Sequence, residues 1–300
     1  MNWNDLVGII SLYKKVYKNY LRILIKMYTK RRVSLYKNIK IKVLLRDGTK
    51  LVASYGWVKD YATMTGLLCK INNVNISELN LSEKGILLKY RGHSLIIDSA
   101  RFSDLYATFF FEEYKYLDVK GKDVVDIGAN VGDSPIYFAL NGANRVIGLE
   151  PYPYAFSFAE RNVKLNEIHN IVLLNAGYGK DGRIIVSEGF SSPSSNLISS
   201  GKGREIPIIS LGTLVREYNL KNFVLKMDCE GCEYALLDED NEIFNYIEMI
   251  QLEYHYGYKK IVNKLNDLGF YLRFTEPKKS YNPKAENPNM EVGYVYAWRS

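Results

Sequence analysis

The chain has 300 residues, 47% hydrophobic and 24% charged, an ordinary globular composition with length enough for one large domain or a domain with an appendage. Residues 1–50 hold thirteen Lys and Arg against Asp5 and Asp47, net +11, so the other 250 residues carry −4 of the total +7 and the basicity belongs to the N-terminal segment. Three cysteines, an odd number, argue against a disulfide framework and for a reducing compartment, and the apolar run from Leu6 to Tyr13 falls far short of the ~18 residues of a membrane span.

That run also lacks the charged lead and small-residue cleavage site of a secretory signal, so the expected location is cytoplasmic, with peripheral membrane contact left open. From Leu6 through Ile9, Tyr13, Val16, Tyr17, Tyr20 and Leu24 to Met27 apolar residues recur every three or four positions, while Lys14, Lys18, Arg22 and Lys26 form a row at a spacing of four. The pattern predicts one amphipathic helix with a basic edge. That edge is either a solvated face or a surface for anionic lipid, RNA or a second subunit.

Residues 39–55 alternate in hydropathy around Asp47-Gly48, a strong hairpin signal. A second pair, "GILLKY" and "SLIID" around Arg91-Gly92-His93, reads the same way. Residues 1–104 are therefore expected to form a basic helix and a small β-rich region.

After "FFFEEYKYLDVKGK" the pattern becomes apolar runs separated by helical stretches, the signature of βαβ units on a parallel sheet. Strands are predicted at Asp123 to Ile127, Arg145 to Leu149, Ile171 to Asn175, Phe223 to Met227 and Met249 to Glu253. Helices are predicted from Ser134-Pro135, over "PYAFSFAERNVKLN" and over "YKKIVNKLNDLG". "FYLRF" and "GYVYAW" read as an antiparallel edge pair, giving roughly seven strands. The Ser/Gly-rich stretch 187–205 reads as a long loop, a candidate lid over the substrate.

"DIGANVGDS" places small residues between the first strand and first helix, and Glu150 closes the second strand 22 residues after Gly128. Helix-start amides favour an anionic group, and an acid at that place suits two ribose hydroxyls, so the order reads as nucleoside binding. G-A-N-V-G is not the G-x-G-x-x-G of dinucleotide sites, which argues against NAD.

"DIGANVGDS", "GLEPYPYAF…ERNVKLN", "LNAGYG" and "FVLKMDCEGCEYALL" resemble the FkbM-type family of class I S-adenosylmethionine-dependent methyltransferases, over about residues 104–300. The resemblance implies a Rossmann-like α/β fold with a seven-stranded, mostly parallel sheet over residues 105–300. It implies that Asp126, Gly128, Asn130 and Gly132 surround the methionine end of the cofactor and that Glu150, followed by Pro151, holds the ribose. Asn175 and Ala176 would lie by the adenine. Each has a plainer account: Asp126 as a turn cap, Asn130 as a left-handed residue, Glu150 as a surface acid. Glu113 and Tyr114 match a family pattern and would either close over the cofactor or simply pack.

Ligands of open α/β sheets lie at the carboxyl ends of the strands, which points to Asp228, Glu230, Glu233, Glu253 and His255 for the acceptor. Asp228 would orient a hydroxyl, and His255, with an ordinary pKa near neutrality, would be the base; a helix cap and a packed histidine are the alternatives. A strand's period of two puts Glu253 and His255 on one face. Lys226 stands in a strand buried on both faces and needs a carboxylate partner or a substrate contact. Asp228, Glu230 and Glu233 could hold a divalent cation, but helix N-terminal acids are the plainer account and no metal is expected. Cys229 and Cys232 are expected as inert thiols, since a closed zinc site wants four ligands.

The activity the resemblance implies is O-methylation of a hydroxyl on a sugar, glycan, lipid-linked or small-molecule acceptor. No N-P-P-Y-like tetrapeptide follows the fourth strand, where base-nitrogen methylases often carry one. An RNA methyltransferase using the basic residues 1–50 is the main alternative, and a non-catalytic binding protein on the same fold is another. A homo-oligomer is a further candidate arrangement.

Overall fold

The computed structural model describes residues 3–29, 39–68, 75–98, 105–186, 203–281 and 288–299. Its contacts divide the chain into two units, Met1–Glu113 and Tyr114–Ser300. The loop expected at 187–205 lies mostly outside the described residues, as do Cys69 and the basic stretch 30–38. No helix among the described residues is long and apolar enough to cross a membrane.

The first unit holds α1 (Trp3–Val16), α2 (Tyr20–Thr29), β1 (Lys40–Leu44), β2 (Lys50–Ser54), α3 (Tyr55–Leu68), β3 (Ile76–Leu81), β4 (Ile86–Tyr90), β5 (His93–Ile97) and a π-helical turn, Tyr106–Phe110. The single amphipathic helix of the sequence reading is broken in two. Tyr17 leaves the helix to bridge Leu45, the Lys18 amide donates to the Leu44 carbonyl, and the Asn19 side chain bonds both Lys42 O and the Leu44 amide. The break keeps polar backbone satisfied through the end of β1, and it splits the basic row between two helices.

Both hairpins form where the turn residues place them. Asp47 Oδ1 accepts from the Thr49 amide at 2.8 Å inside the β1–β2 turn. Arg91 and Gly92 both take positive φ between β4 and β5, the two-residue turn that matches strand twist. The sequence reading missed α3. Its signal was the buried spacing Trp57, Tyr61, Met64 with Val58 and Ala62 beside it, diluted by Gly66 and two threonines.

Asp60 of α3 is buried at 2% exposure, and its Oδ2 has no hydrogen-bond partner among the described residues. Burial pushes its pKa up to about 7 from the ordinary 3.8, against a small opposing effect of Lys59. Because the folded pKa is raised, the stability this carboxyl contributes is full below about pH 3.8 and is lost as pH rises through about 7. Asp60→Asn is therefore expected to match the wild type at pH 4 and to gain up to about 4 kcal/mol by pH 8. Urea unfolding at the two pH values checks this; a gain independent of pH would contradict it.

The second unit carries β6 (Asp123–Ile127), α4 (Asp133–Leu140), β7 (Arg145–Leu149), α5 (Pro153–Leu165), β8 (Ile171–Leu174), β9 (Gly177–Tyr178), β10 (Gly182–Val186) and β11 (Arg204–Ile209). It continues through α6 (Leu211–Tyr218), β12 (Phe223–Met227), β13 (Ile247–Tyr254), α7 (Lys259–Asp267), β14 (Tyr271–Phe274), β15 (Lys278–Tyr281) and β16 (Asn289–Trp298). The main sheet runs β14-β16-β13-β12-β6-β7-β8, with β15 paired on β16. From β13 to β8 all neighbours are parallel; β16 is antiparallel to β13 and to β14.

The five parallel strands and the edge pair stand where the sequence reading put them, and this is the α/β, Rossmann-like architecture it expected. The small sheet β10-β11-β9 was not anticipated. From β6 the chain winds outward through β7 and β8, then crosses back to β12 and β13 on the other side. The order reverses at β6, so a crevice opens at the carboxyl ends of β6 and β12. Val125, Ile127, Ile147, Leu149, Leu225 and Leu252 pack in the core beneath it.

Candidate active site

The loop after β6 is shaped first by the protein's own chain. Gly128 has φ +83°, and a Cβ there would lie 1.9 Å from the Asp228 carbonyl oxygen. At Gly132, φ +85°, a Cβ would lie 2.9 Å from Ala159 Cα of α5. Asn130 is also left-handed, at +45°. Bare backbone is thus needed for the loop to lie against β12's end and against α5, a close approach that adds to the expected approach of a ligand.

Glu150, buried at the end of β7, reaches back to this loop. Its Oε2 accepts from the Asn130 amide at 2.8 Å, and its Oε1 accepts from the Tyr152 amide at 2.9 Å. Asn175, just past β8, donates from Nδ2 to Glu150 O and Pro151 O at 2.9 and 3.1 Å. Its Oδ1 is buried with no hydrogen-bond partner among the described residues. Asn130, Glu150, Pro151, Asn175 and the buried Ala176 therefore come together at the ends of β6, β7 and β8. Asn175 Oδ1 is an acceptor in need of a donor, and the exocyclic amine of adenine is one.

Asp126 and Lys226 stand elsewhere. Lys226 Nζ lies 2.8 Å from Asp126 Oδ1, both side chains are at most 2% exposed, and Ser134 Oγ donates to Asp126 Oδ2 at 2.7 Å. Nζ also donates to the Gly128 carbonyl at 2.8 Å and sits 5.5 Å from the Tyr114 ring centroid. The carboxylate partner expected of Lys226 is thus Asp126, and the two form a buried brace under the glycine loop. Burial alone would lower the Lys226 pKa; Asp126 above all, with Asp228 and Asp133, carries it above its ordinary value. Ser134 and Tyr114 join the brace from 8 and 12 residues away from Asp126, contacts with no sequence signal of their own.

On the acceptor side, Asp228 follows β12 and its amide donates to Ile127 O at 3.1 Å. Glu230 takes a left-handed φ of +58°, and its Oε2 lies 3.5 Å from His255 Nε2. Glu233 is fully buried; its Oε1 accepts from the His255 amide at 2.9 Å and lies 3.0 Å from His255 Nδ1. Its Oε2 accepts from the Gly231 amide. Burial alone would lower the His255 pKa, but the hydrogen bond and charge of Glu233, with Asp228 and Glu230, push it up to about 9. The near-neutral pKa behind the expected base role does not hold.

Residues 126–272 match the methyltransferase FkbM domain. The chain carries this domain and is a methyltransferase. A protein of Methanocaldococcus jannaschii with the provisional name protein N5-glutamine methyltransferase is 26% identical over 200 residues, 61% of this chain and 84% of that protein. The tRNA (guanine(37)-N(1))-methyltransferase Trm5b of Pyrococcus abyssi is 31% identical over 140 residues, 47% of this chain and 37% of that one. The crystal structure of that Pyrococcus abyssi protein superposes with a TM-score of 0.40 at 17% identity, covering 79% of this chain and 68% of that one.

Within the FkbM domain one further expectation fails. Cys229 and Cys232 are joined by a disulfide that spans Glu230 and Gly231, instead of standing as two inert thiols. The odd cysteine count said nothing against a bridge over three residues, because a C-x-x-C pair needs no distant partner. Glu253, at the penultimate position of β13, and His255 do share one face, as strand period requires, and Asp228 meets them there.

Proposed function

We propose that the FkbM domain takes S-adenosylmethionine as methyl donor and methylates a hydroxyl oxygen on a sugar-bearing, lipid-linked or other small acceptor. When bound, the donor supplies an electrophilic methyl group on sulfur. Glu150 holds the ribose diol, Asn175 Oδ1 accepts from the adenine amine, and the 128–132 loop, braced by Lys226 and Asp126, leaves room for the amino-acid end. The orphaned Asn175 oxygen beside Glu150 is the observation that supports this donor best.

The acceptor reading is carried by the convergence of Asp228, Glu253 and His255, with Glu230 beside them, at the strand ends next to that pocket. A hydroxyl needs an in-line approach and a group to take its proton. Asp228 orients the hydroxyl and Glu230 beside it takes that proton; His255, its pKa pushed up to about 9, does not. The sequence Asp-Cys-Glu-Gly at 228–231 offers carboxylates where base-nitrogen enzymes often carry a planar-amine clamp.

A second reading, RNA methylation, is favoured by the Pyrococcus abyssi relative and by the +11 charge of residues 1–50. Methyl-labelled donor incubated with total RNA, protein and glycolipid extracts separates the two. The hydroxyl reading expects label that survives nuclease and protease and partitions with glycan, lipid or small molecules. Label released from RNA as a methylated base would overturn it in favour of the second reading, and label held in protein would overturn both.

A further inference from the structure

We propose that Asp228, Glu253 and His255 form an open binding site for one divalent transition cation of the Mn²⁺ class. One ligand atom from each of the three lies within 4.8 Å of the other two. Ligands at about 2.0–2.3 Å from a common ion lie no more than about 4.6 Å apart, so small side-chain rotations close the set. Met227 and Leu252 are paired across β12 and β13, so Asp228 and Glu253 are the next positions outward on two adjacent parallel strands. His255 follows on the same face as Glu253.

The histidine is prepared from behind. Fully buried Glu233 lies 3.0 Å from His255 Nδ1 and also holds the His255 amide, which fixes the ring and leaves Nε2, 3.5 Å from Glu230 Oε2, as the nitrogen away from Glu233. A carboxylate on the far nitrogen is the usual support of a metal-bound imidazole, and it is independent of the three ligands. The cation would replace a proton on Nε2. One nitrogen and two carboxylate ligands suit Mn²⁺ or Zn²⁺ better than the all-oxygen preference of Mg²⁺ or Ca²⁺.

Three protein ligands leave coordination positions for the acceptor. A hydroxyl bound there becomes more acidic, and a second oxygen on the acceptor would fix its orientation. The selected acceptor class is then one with two neighbouring oxygens, such as a vicinal diol or a hydroxy-carbonyl. This purpose rests on the hydroxyl reading above, whereas the cation site itself does not.

Mn²⁺ is the probe because the Cys229–Cys232 sulfurs, even if reduced, compete poorly for it. The full chain is stripped with chelator and titrated with Mn²⁺, free ion being followed by electron paramagnetic resonance, and S-adenosylhomocysteine binding is measured on the same samples. The expected result is one Mn²⁺ per chain, unchanged in Glu242→Gln, an exposed acid elsewhere, and weakened about tenfold or more in both Glu253→Gln and Asp228→Asn. Two conservative variants guard against a folding defect in one. Absence of Mn²⁺ binding, or equal binding in the wild type and both variants, overturns the cation site while intact S-adenosylhomocysteine binding leaves the donor reading standing. Failure of the wild type to bind S-adenosylhomocysteine removes the donor reading, and Mn²⁺ affinity that still depends on Glu253 and Asp228 upholds the site.

Discussion

Lys226→Met is expected to destabilise the second unit by about 3–5 kcal/mol, because it strands the Asp126 carboxylate, 0% exposed, without its counter-charge. Every residue of β12 is buried, so no water can take the place of the ammonium. Removing both charges at once, in Lys226→Met with Asp126→Leu, should cost much less than the single change, since the penalty lies in the unpaired ion more than in the lost attraction. Urea unfolding of the three proteins measures the difference. A catalytic lysine would behave otherwise: Lys226→Met would leave stability within about 1 kcal/mol of the wild type and lower turnover alone, and that result would contradict the brace. Loss of the bond from Nζ to Gly128 O should also loosen the loop, so donor affinity is expected to fall together with stability.

The main sheet was legible because each of its parallel strands is a short, nearly continuous apolar run, bounded by turn residues, as a strand covered on both faces must be. Asp47-Gly48 and Arg91-Gly92 announced their hairpins through Gly48 and Gly92, which take positive φ without steric cost. Glu150 and Asn175 were legible as strand-end residues of a family pattern. What stayed hidden depends on contacts between distant parts of the chain. Periodicity runs unbroken through Tyr17, and only the pairing of Tyr17 with Leu45 and the side-chain bonds of Asn19 show why the helix stops there. Lys226 called for a partner, but its own position could not say that the partner was Asp126, one hundred residues earlier and on the neighbouring strand. The His255 role was drawn from an ordinary pKa, and that premise changes because Glu233, read as a helix-end acid, is folded fully inside against the ring and raises it.

Glu150→Ala is expected to weaken binding of S-adenosylmethionine by about 100-fold or more. The carboxylate is held in place by the Asn130 and Tyr152 amides, so it meets a ribose already oriented. Two charge-assisted hydrogen bonds to the diol are together worth about 3 kcal/mol or more, which is that factor in affinity. Glu150→Gln keeps the shape but sets its amide NH2 against one of the two backbone N–H groups, and should fall between. Asn175→Leu, which removes the orphaned acceptor, should lose less, about fivefold, because a neutral hydrogen bond is worth about 1 kcal/mol. Calorimetric titration of the wild type and of Glu150→Ala with S-adenosylhomocysteine tests the nucleoside pocket most directly. The pocket predicts clear saturable binding that is nearly abolished by the substitution; equal affinity in the two proteins, or no binding by either, would contradict it.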